Sequence, residues 1–120
     1  MAKRDYRKEV KATIKDLTKF LDKKGVDYRI KEADKVTSIE ILGGLRYEDL
    51  SKHLSSELNM YNVNGYFNQI ANYLQLKAGY GVDMWENKNG VVSANVHYYR
   101  ENDKTIVTSI EVSPRDSENS

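Results

Sequence analysis

Apolar residues recur with a helical period near the start of the chain, over residues 5–23. They are spaced three or four positions apart and so form one stripe along a helix: Tyr6, Val10, Ile14, Leu17 and Leu21. Gly25 follows at a position that suits a C-terminal helix cap. The pattern predicts an amphipathic first helix whose apolar stripe packs against the rest of the chain.

Alternation of apolar and polar residues, which is typical of half-buried strands, occurs in four later stretches. These stretches cover residues 26–30, 37–41, 92–98 and 106–112. A shorter apolar stretch at residues 82–85 precedes Asn89 and Gly90, and Asn-Gly is the strongest short signal for a β-hairpin turn. The sequence therefore predicts five strands in two groups.

Two further helices are predicted between the two groups of strands. The first covers residues 47–58, where four apolar residues are spaced 3, 4 and 4 apart: Tyr47, Leu50, Leu54 and Leu58. An asparagine-rich connector, residues 59–64, leads to the second helix, which begins near Asn64 or Gly65. This helix is expected to end within residues 78–81, where Gly79 and Gly81 flank Tyr80. Its inner stripe is Phe67, Ile70, Ala71 and Leu74, and its outer face carries Asn68, Gln69, Asn72 and Gln75.

This order of elements predicts a single α+β domain over residues 1–113. We expect one antiparallel sheet of about five strands with three helices on one face, in the order α-β-β-α-α-β-β-β. Pro114 cannot donate a hydrogen bond to a strand ladder, so residues 114–120 are expected to form a polar, disordered tail.

Composition narrows the class of protein. The chain has no cysteine, which excludes disulfides, thiol nucleophiles and thiolate metal sites. No apolar run approaches the ~20 residues of a membrane span, and no signal peptide is readable, so a cytoplasmic protein is expected. Abundant Lys, Asn and Tyr are typical of an AT-rich coding genome, such as that of a low-GC bacterium, its phage or another mobile element.

Few residues indicate catalysis. His53 and His97 show no metal-binding spacing, and no cysteine can complete a zinc set. Glu40 and Glu111 lie in two strands of similar sequence and would form an acid/base pair only if those strands were neighbours. Both glutamates lie on the polar phase of their strands, so surface positions are favoured. We therefore expect no enzyme activity, no metal and no cofactor.

The charge is distributed unevenly although the whole chain carries only +1. Residues 1–24 contain nine basic and four acidic residues, a net charge of +5, and the remaining chain therefore carries −4. One side of the first helix collects six basic residues: Arg4, Arg7, Lys8, Lys11, Lys15 and Lys19. Such a face either binds phosphates of nucleic acid, binds an acidic protein surface, or is only solvated.

A second candidate surface lies around the third predicted helix. It combines aromatic and amide side chains, which stack on bases, read adenine edges or anchor protein contacts: Tyr61, Tyr66, Asn68, Gln69 and Asn72. The order of elements over residues 36–100 resembles a winged helix-turn-helix. That resemblance implies a positioning helix, a recognition helix and a hairpin wing.

These patterns favour a small, non-catalytic binding or regulatory module that contacts nucleic acid through its basic first helix. The alternative is a protein-binding adaptor or inhibitor, encoded by a phage or mobile element, that acts on a host protein. Neither pattern indicates an oligomeric state.

Overall fold

The structure, a computed structural model, describes residues 7–63, 78–88, 90–101 and 104–114. These residues form two helices and six strands. In chain order the elements are α1 Arg7–Lys24, β1 Tyr28–Glu32, β2 Thr37–Ile41, α2 Tyr47–Ser56, β3 Met60–Asn62, β4 Ala78–Asn87, β5 Val92–Glu101 and β6 Lys104–Pro114.

All six strands belong to one antiparallel sheet in the order β1-β2-β6-β5-β4-β3. The last strand, β6, lies in the interior of the sheet between β2 and β5. The shift in register between His97 and Tyr98 marks a β-bulge in the long β5–β6 ladder. The predicted α+β class with a single antiparallel sheet is confirmed.

The first helix ends as its sequence predicts. Gly25 has a φ of 72°, a left-handed conformation that glycine adopts without a Cβ penalty. Its N–H donates to Asp22 O at 3.1 Å, and the Val26 N–H donates to Leu21 O at 2.9 Å. These two bonds form a Schellman motif. In this motif the residues at the positions of Leu21 and Val26 usually make an apolar contact. Both side chains are buried in the core, so the cap also directs the chain into β1.

One hydrophobic core lies between the helices and one face of the sheet. Val10, Leu17 and Leu21 of α1 and Leu50 and Leu54 of α2 are buried in it. Their partners on the sheet are residues of the central strands whose side chains face the same side: Ile39, Ala94, Val96, Ile110 and Val112. The helices run antiparallel, because Asp16 contacts His53 whereas Lys24 contacts Asp49. We call this side of the sheet the covered face and the other side the open face.

The prediction of five strands and three helices differs from the structure in detail. Part of the connector at residues 59–64 forms a sixth strand, β3, whose three residues pair with the end of β4. β4 also begins earlier than predicted, at Ala78, so that Gly79 and Gly81 lie inside a strand. The third predicted helix, at residues 65–77, lies outside the described residues. The tail was predicted for residues 114–120, but Pro114 is the last residue of β6 and pairs with Val92. The rest of the predicted tail lies outside the described residues.

The remaining elements follow their predictions with small shifts. α2 ends at Ser56, two residues earlier than predicted. The hairpin between β4 and β5 is confirmed, but four residues separate its strands, where a type I′ turn would have two. Asn87 closes this loop, because its Oδ1 accepts hydrogen bonds from the N–H groups of Val91 and Val92. Both strands of the hairpin lie within the six-stranded sheet, between β6 and β3. The recognition helix implied by the winged helix-turn-helix resemblance lies outside the described residues.

Candidate nucleic-acid interface

The basic side of α1 faces away from the core. Burial of the apolar stripe on the covered face leaves five of the six predicted basic residues exposed on the described helix: Arg7, Lys8, Lys11, Lys15 and Lys19. Arg4, the sixth predicted member, lies outside the described residues. At about 100° per residue, Lys8, Lys11, Lys15 and Lys19 fall within a sector of about 80° and extend about 16 Å along the helix axis. We call these four lysines the lysine stripe.

Two acidic residues of α1, Asp16 and Asp22, contact other parts of the protein. Asp16 lies with its Oδ1 2.5 Å from Nε2 of His53 on α2. Asp22 lies beside Tyr28 of β1; loss of hydration and then the charge of Asp22 raise the pKa of the Tyr28 hydroxyl above its usual value. In the described part of the chain, none of the four lysines forms an ion pair. The lysine stripe is therefore an exposed positive surface.

The contact between α1 and α2 involves His53, which the sequence placed off the apolar stripe. Its imidazole stacks on Phe20 with ring centroids 4.2 Å apart and planes 22° apart. Lys24 Nζ lies 5.8 Å from the same Phe20 ring, at the other end of the contact. The imidazole is therefore occupied in joining the two helices and is not positioned as a metal ligand.

Most of the second predicted surface lies outside the described residues: Tyr66, Asn68, Gln69 and Asn72. Its first member, Tyr61, lies on β3, where it is exposed and its hydroxyl donates to Glu86 Oε1 at 3.2 Å. Because Tyr61 pairs directly with Glu86, the two side chains share one face of the sheet. This is the open face, away from α1.

The open face carries an exposed apolar patch on β4. Tyr80 is 81% exposed, Val82 49% and Met84 38%. The Tyr80 ring lies against Tyr99 of β5, with centroids 4.8 Å apart. Exposed apolar side chains that are contiguous, and not scattered, are typical of protein contact sites. We call Tyr80, Val82 and Met84 the open-face patch.

The two strands of similar sequence, β2 and β6, are neighbours. Ile39 pairs with Ile110, and on either side of this pair a serine faces a glutamate, Ser38 opposite Glu111 and Ser109 opposite Glu40. Glu111 Oε1 lies 2.6 Å from Nε2 of His97, so this carboxylate pairs with the imidazole. Glu40 pairs instead with Lys31, 3.1 Å away. The two carboxylates thus have separate partners on a half-exposed surface, and they do not form an acid/base pair.

A buried polar cluster joins α2, β3 and β4. Asp83 is 1% exposed and accepts hydrogen bonds from the hydroxyl of Tyr47 and from Nδ2 of Asn62, the latter at 3.3 Å. The Tyr47 hydroxyl also accepts a hydrogen bond from Trp85 Nε1 at 3.0 Å. Next to it, the ring of Tyr98 meets that of Tyr47 edge to face, with centroids 5.5 Å apart. We call Tyr47, Asn62, Asp83 and Trp85 the Tyr47 cluster.

The Tyr98 ring of β5, next to the Tyr47 cluster, lies close to the backbone of β4 at Gly81. Gly81 pairs with Tyr98, and a Cβ at position 81 would lie 2.5 Å from Cζ of the Tyr98 ring. Only glycine leaves room for the ring at this position. The glycine that seemed to end a helix in the sequence therefore makes space for an aromatic side chain on the neighbouring strand.

Electrostatics indicate that Tyr47 and the neighbouring Tyr98 hold their hydroxyl protons strongly. Burial, followed by the hydrogen bond and the charge of Asp83, raises the pKa of Tyr47 far above its usual value of 10. Burial and the charge of Asp83 also raise the pKa of Tyr98, against an opposing effect of Arg100. A tyrosine with a raised pKa keeps its proton at neutral pH and can donate a hydrogen bond through it. The cluster thus provides directional contacts between elements.

The sequence contained one signal for this cluster. Asp83 is in phase with Trp85 on an alternating strand, so burial of the tryptophan requires burial of the aspartate and a hydrogen-bonding partner for it. The partner Tyr47 is 36 residues away in sequence, and nothing in the local pattern connects the two.

Two further features of the described residues concern metal ligands and cavities. Within the ranges given above, no three His, Asp or Glu side chains converge as metal ligands. A cavity of about 160 Å³ opens beside the start of α2, lined by Arg46, Tyr47, Glu48, Lys104 and Thr105. Arg46 lies 3.4 Å from the Glu48 carboxylate, which partly neutralises the charge of this cavity.

No helix among the described residues combines the length and apolar character needed to cross a membrane. Comparison of the chain with family models, with curated proteins and with solved structures gives no match.

Proposed function

We propose that this protein is a small, non-catalytic binding module that contacts the phosphate backbone of nucleic acid through the lysine stripe of α1. The observation that carries the proposal is the exposure of four lysines on one side of a packed helix, without ion-pair partners among the described residues. Lys side chains that neutralise phosphates release condensed counterions, which favours binding to any nucleic-acid sequence.

The contact of the nearby Asp16 with α2 and the spacing of the lysines support this proposal. Asp16 is 38% exposed, but its carboxylate is engaged by His53 of α2 at the helix–helix contact. A lysine surface that served only solubility would be expected to alternate with acidic partners along the helix, since such pairs stabilise an exposed helix. The spacing of 3, 4 and 4 residues instead places lysine next to lysine.

Charge reversal tests the proposal. In the variant with Lys8→Glu, Lys11→Glu and Lys15→Glu, we expect affinity for a labelled oligonucleotide to fall on the order of 100-fold or more at low salt, because three of four phosphate contacts become repulsive. Fluorescence anisotropy measures the affinity, and circular dichroism checks that α1 remains folded.

The matched control carries the same change in net charge at three exposed lysines outside α1: Lys35→Glu, Lys52→Glu and Lys88→Glu. It should bind nearly as tightly as the unmodified protein. Equal losses in the two variants would mean that only net charge matters, and the lysine stripe would then not be the site.

A second candidate function is that of a protein-binding adaptor or inhibitor. The open-face patch favours it, because Tyr80, Val82 and Met84 expose contiguous apolar surface that no described element covers. An acidic host protein at the lysine stripe would serve the same function; charge reversal would then mainly slow association. Affinity purification with and without nuclease separates the two functions, because only a nucleic-acid-bridged complex is lost on digestion.

A further inference from the structure

The shape of the lysine stripe and the position of the exposed aromatic residues indicate which form of nucleic acid it fits. We infer that the stripe binds double-stranded nucleic acid through its phosphates and discriminates against single strands. This inference rests on the proposed function and adds the class of ligand to it.

The lysine stripe is convex. It lies on the outer side of a helix that packs on the sheet through Leu17 and Leu21, so it projects from the body of the protein. Proteins that bind single strands usually guide the flexible backbone along a positively charged groove. A convex helical ridge instead fits against a rigid duplex, whose grooves and phosphate rows are themselves preformed.

The described aromatic side chains are not placed to stack on bases near α1. Tyr61 and Tyr80 are the exposed ones, and both lie on the open face, on the opposite side of the sheet. Phe20 is occupied by His53, and Tyr28 is half-buried beside the core. A single strand held by the lysines would therefore lack the base stacking that contributes ~1–3 kcal/mol per base in proteins specialised for it.

The density of charge also favours a duplex. A duplex presents one phosphate charge per about 1.7 Å of its axis when both strands are counted, so about ten phosphates lie along a length of ~16 Å, and those on the near side exceed the four that the stripe needs. Each neutralised phosphate contributes about 0.9 to the salt slope on B-DNA, compared with about 0.7 on a single strand. Four contacts then predict a slope near −3.6 for a duplex and near −2.8 for a single strand.

The test compares a short mixed-sequence DNA duplex with an oligothymidylate strand of the same length, by fluorescence anisotropy. We expect tighter binding to the duplex, with an affinity that falls about 150-fold between about 50 and about 200 mM salt. Lys11→Ala should reduce this fall to about 40-fold, because one phosphate contact is lost. Lys35→Ala, at an exposed lysine in the β1–β2 turn, should leave it unchanged.

Two results would overturn the inference in distinguishable ways. If oligothymidylate binds as tightly as the duplex or tighter, the preference for a duplex is wrong. A further loss of that binding in Tyr80→Ala would show that single strands stack on the open face. If neither oligonucleotide binds at the lowest salt, or the lysine variants change nothing, the proposed function itself fails.

Discussion

At the scale of single residues, the hydroxyl of Tyr47 joins two buried polar groups of β4. Its hydroxyl donates to a buried carboxylate and accepts from the indole of Trp85. It is also the first residue of α2, so a single side chain ties the start of a helix to β4. Buried polar groups are stable only while their partners are present, and loss of one leaves the others desolvated and unsatisfied.

Tyr47→Phe should therefore lower the free energy of unfolding by about 1–3 kcal/mol, because Asp83 and Trp85 each lose a hydrogen bond while the ring volume is retained. Urea denaturation measures this loss. Tyr80→Phe removes the same hydroxyl at a position that is exposed, and it should change stability by less than about 0.5 kcal/mol. Similar values for the two variants would show that the cluster does not stabilise the fold.

The same variant has a signature at high pH. The pKa of Tyr47 is raised in the folded protein, whereas a tyrosine in the unfolded chain titrates near ~10. Above pH ~10 the unfolded chain releases this proton and the folded protein keeps it, so stability falls as the pH rises. Because Tyr47→Phe removes this titration, the stability difference between the two proteins should narrow above pH ~10. A constant difference would contradict the raised pKa.

At the scale of elements, what the sequence predicts depends on how local the cause is. α1 was predicted with its stripe and cap because helical period and the Gly25 turn are local features. The side of the sheet that each residue of β4 faces was not predicted, because hydropathy alone would bury Val82 and Met84. The structure buries Asp83 and Trp85 instead, and the reason is the distant Tyr47.

The pairing of β2 with β6 also could not be predicted from local sequence patterns. Their similar sequences were visible, but pairing between residues about seventy positions apart leaves no local trace. In the antiparallel register, similar sequences centred on Ile39 and Ile110 place the same serine–glutamate pair on both sides of the centre. The similar sequences of β2 and β6 thus place serine and glutamate side chains in a local two-fold arrangement on the open face.

The packing of α1 can be tested at Leu17, which is fully buried between α1 and the sheet. Leu17→Ala should create a cavity and cost about 2–5 kcal/mol in urea or thermal unfolding. Lys19→Ala, two residues away on the exposed side, should stay within about 0.5 kcal/mol of the unmodified protein. A loss below about 1 kcal/mol for Leu17→Ala would mean that α1 does not pack in this way.

At the scale of the whole molecule, β6 unites the structure. It pairs with β2 on one side and with β5 on the other, and both helices contact it. The early part of the chain, from α1 to α2, and the later β4–β5 hairpin therefore share a strand that comes after both of them in sequence.

A chain that ends at Asp103 should consequently lack a cooperative unfolding transition, because the two parts of the sheet have lost their shared strand. Removal of residues 115–120 is the control and should leave the melting temperature unchanged, because β6 ends at Pro114. Calorimetry distinguishes these outcomes. A sharp transition in the shorter chain would show that β6 is dispensable.

The interior position of β6 has a consequence for protein synthesis. While the ribosome is still translating the segment before residue 104, β2 and β5 each have an unpaired edge facing the gap that β6 will fill. Unpaired strand edges favour aggregation, so the nascent chain is expected to rely on chaperones until the final strand emerges. The sheet can then close only after β6 has left the ribosome, in one late step that pairs β6 with β2 and with β5.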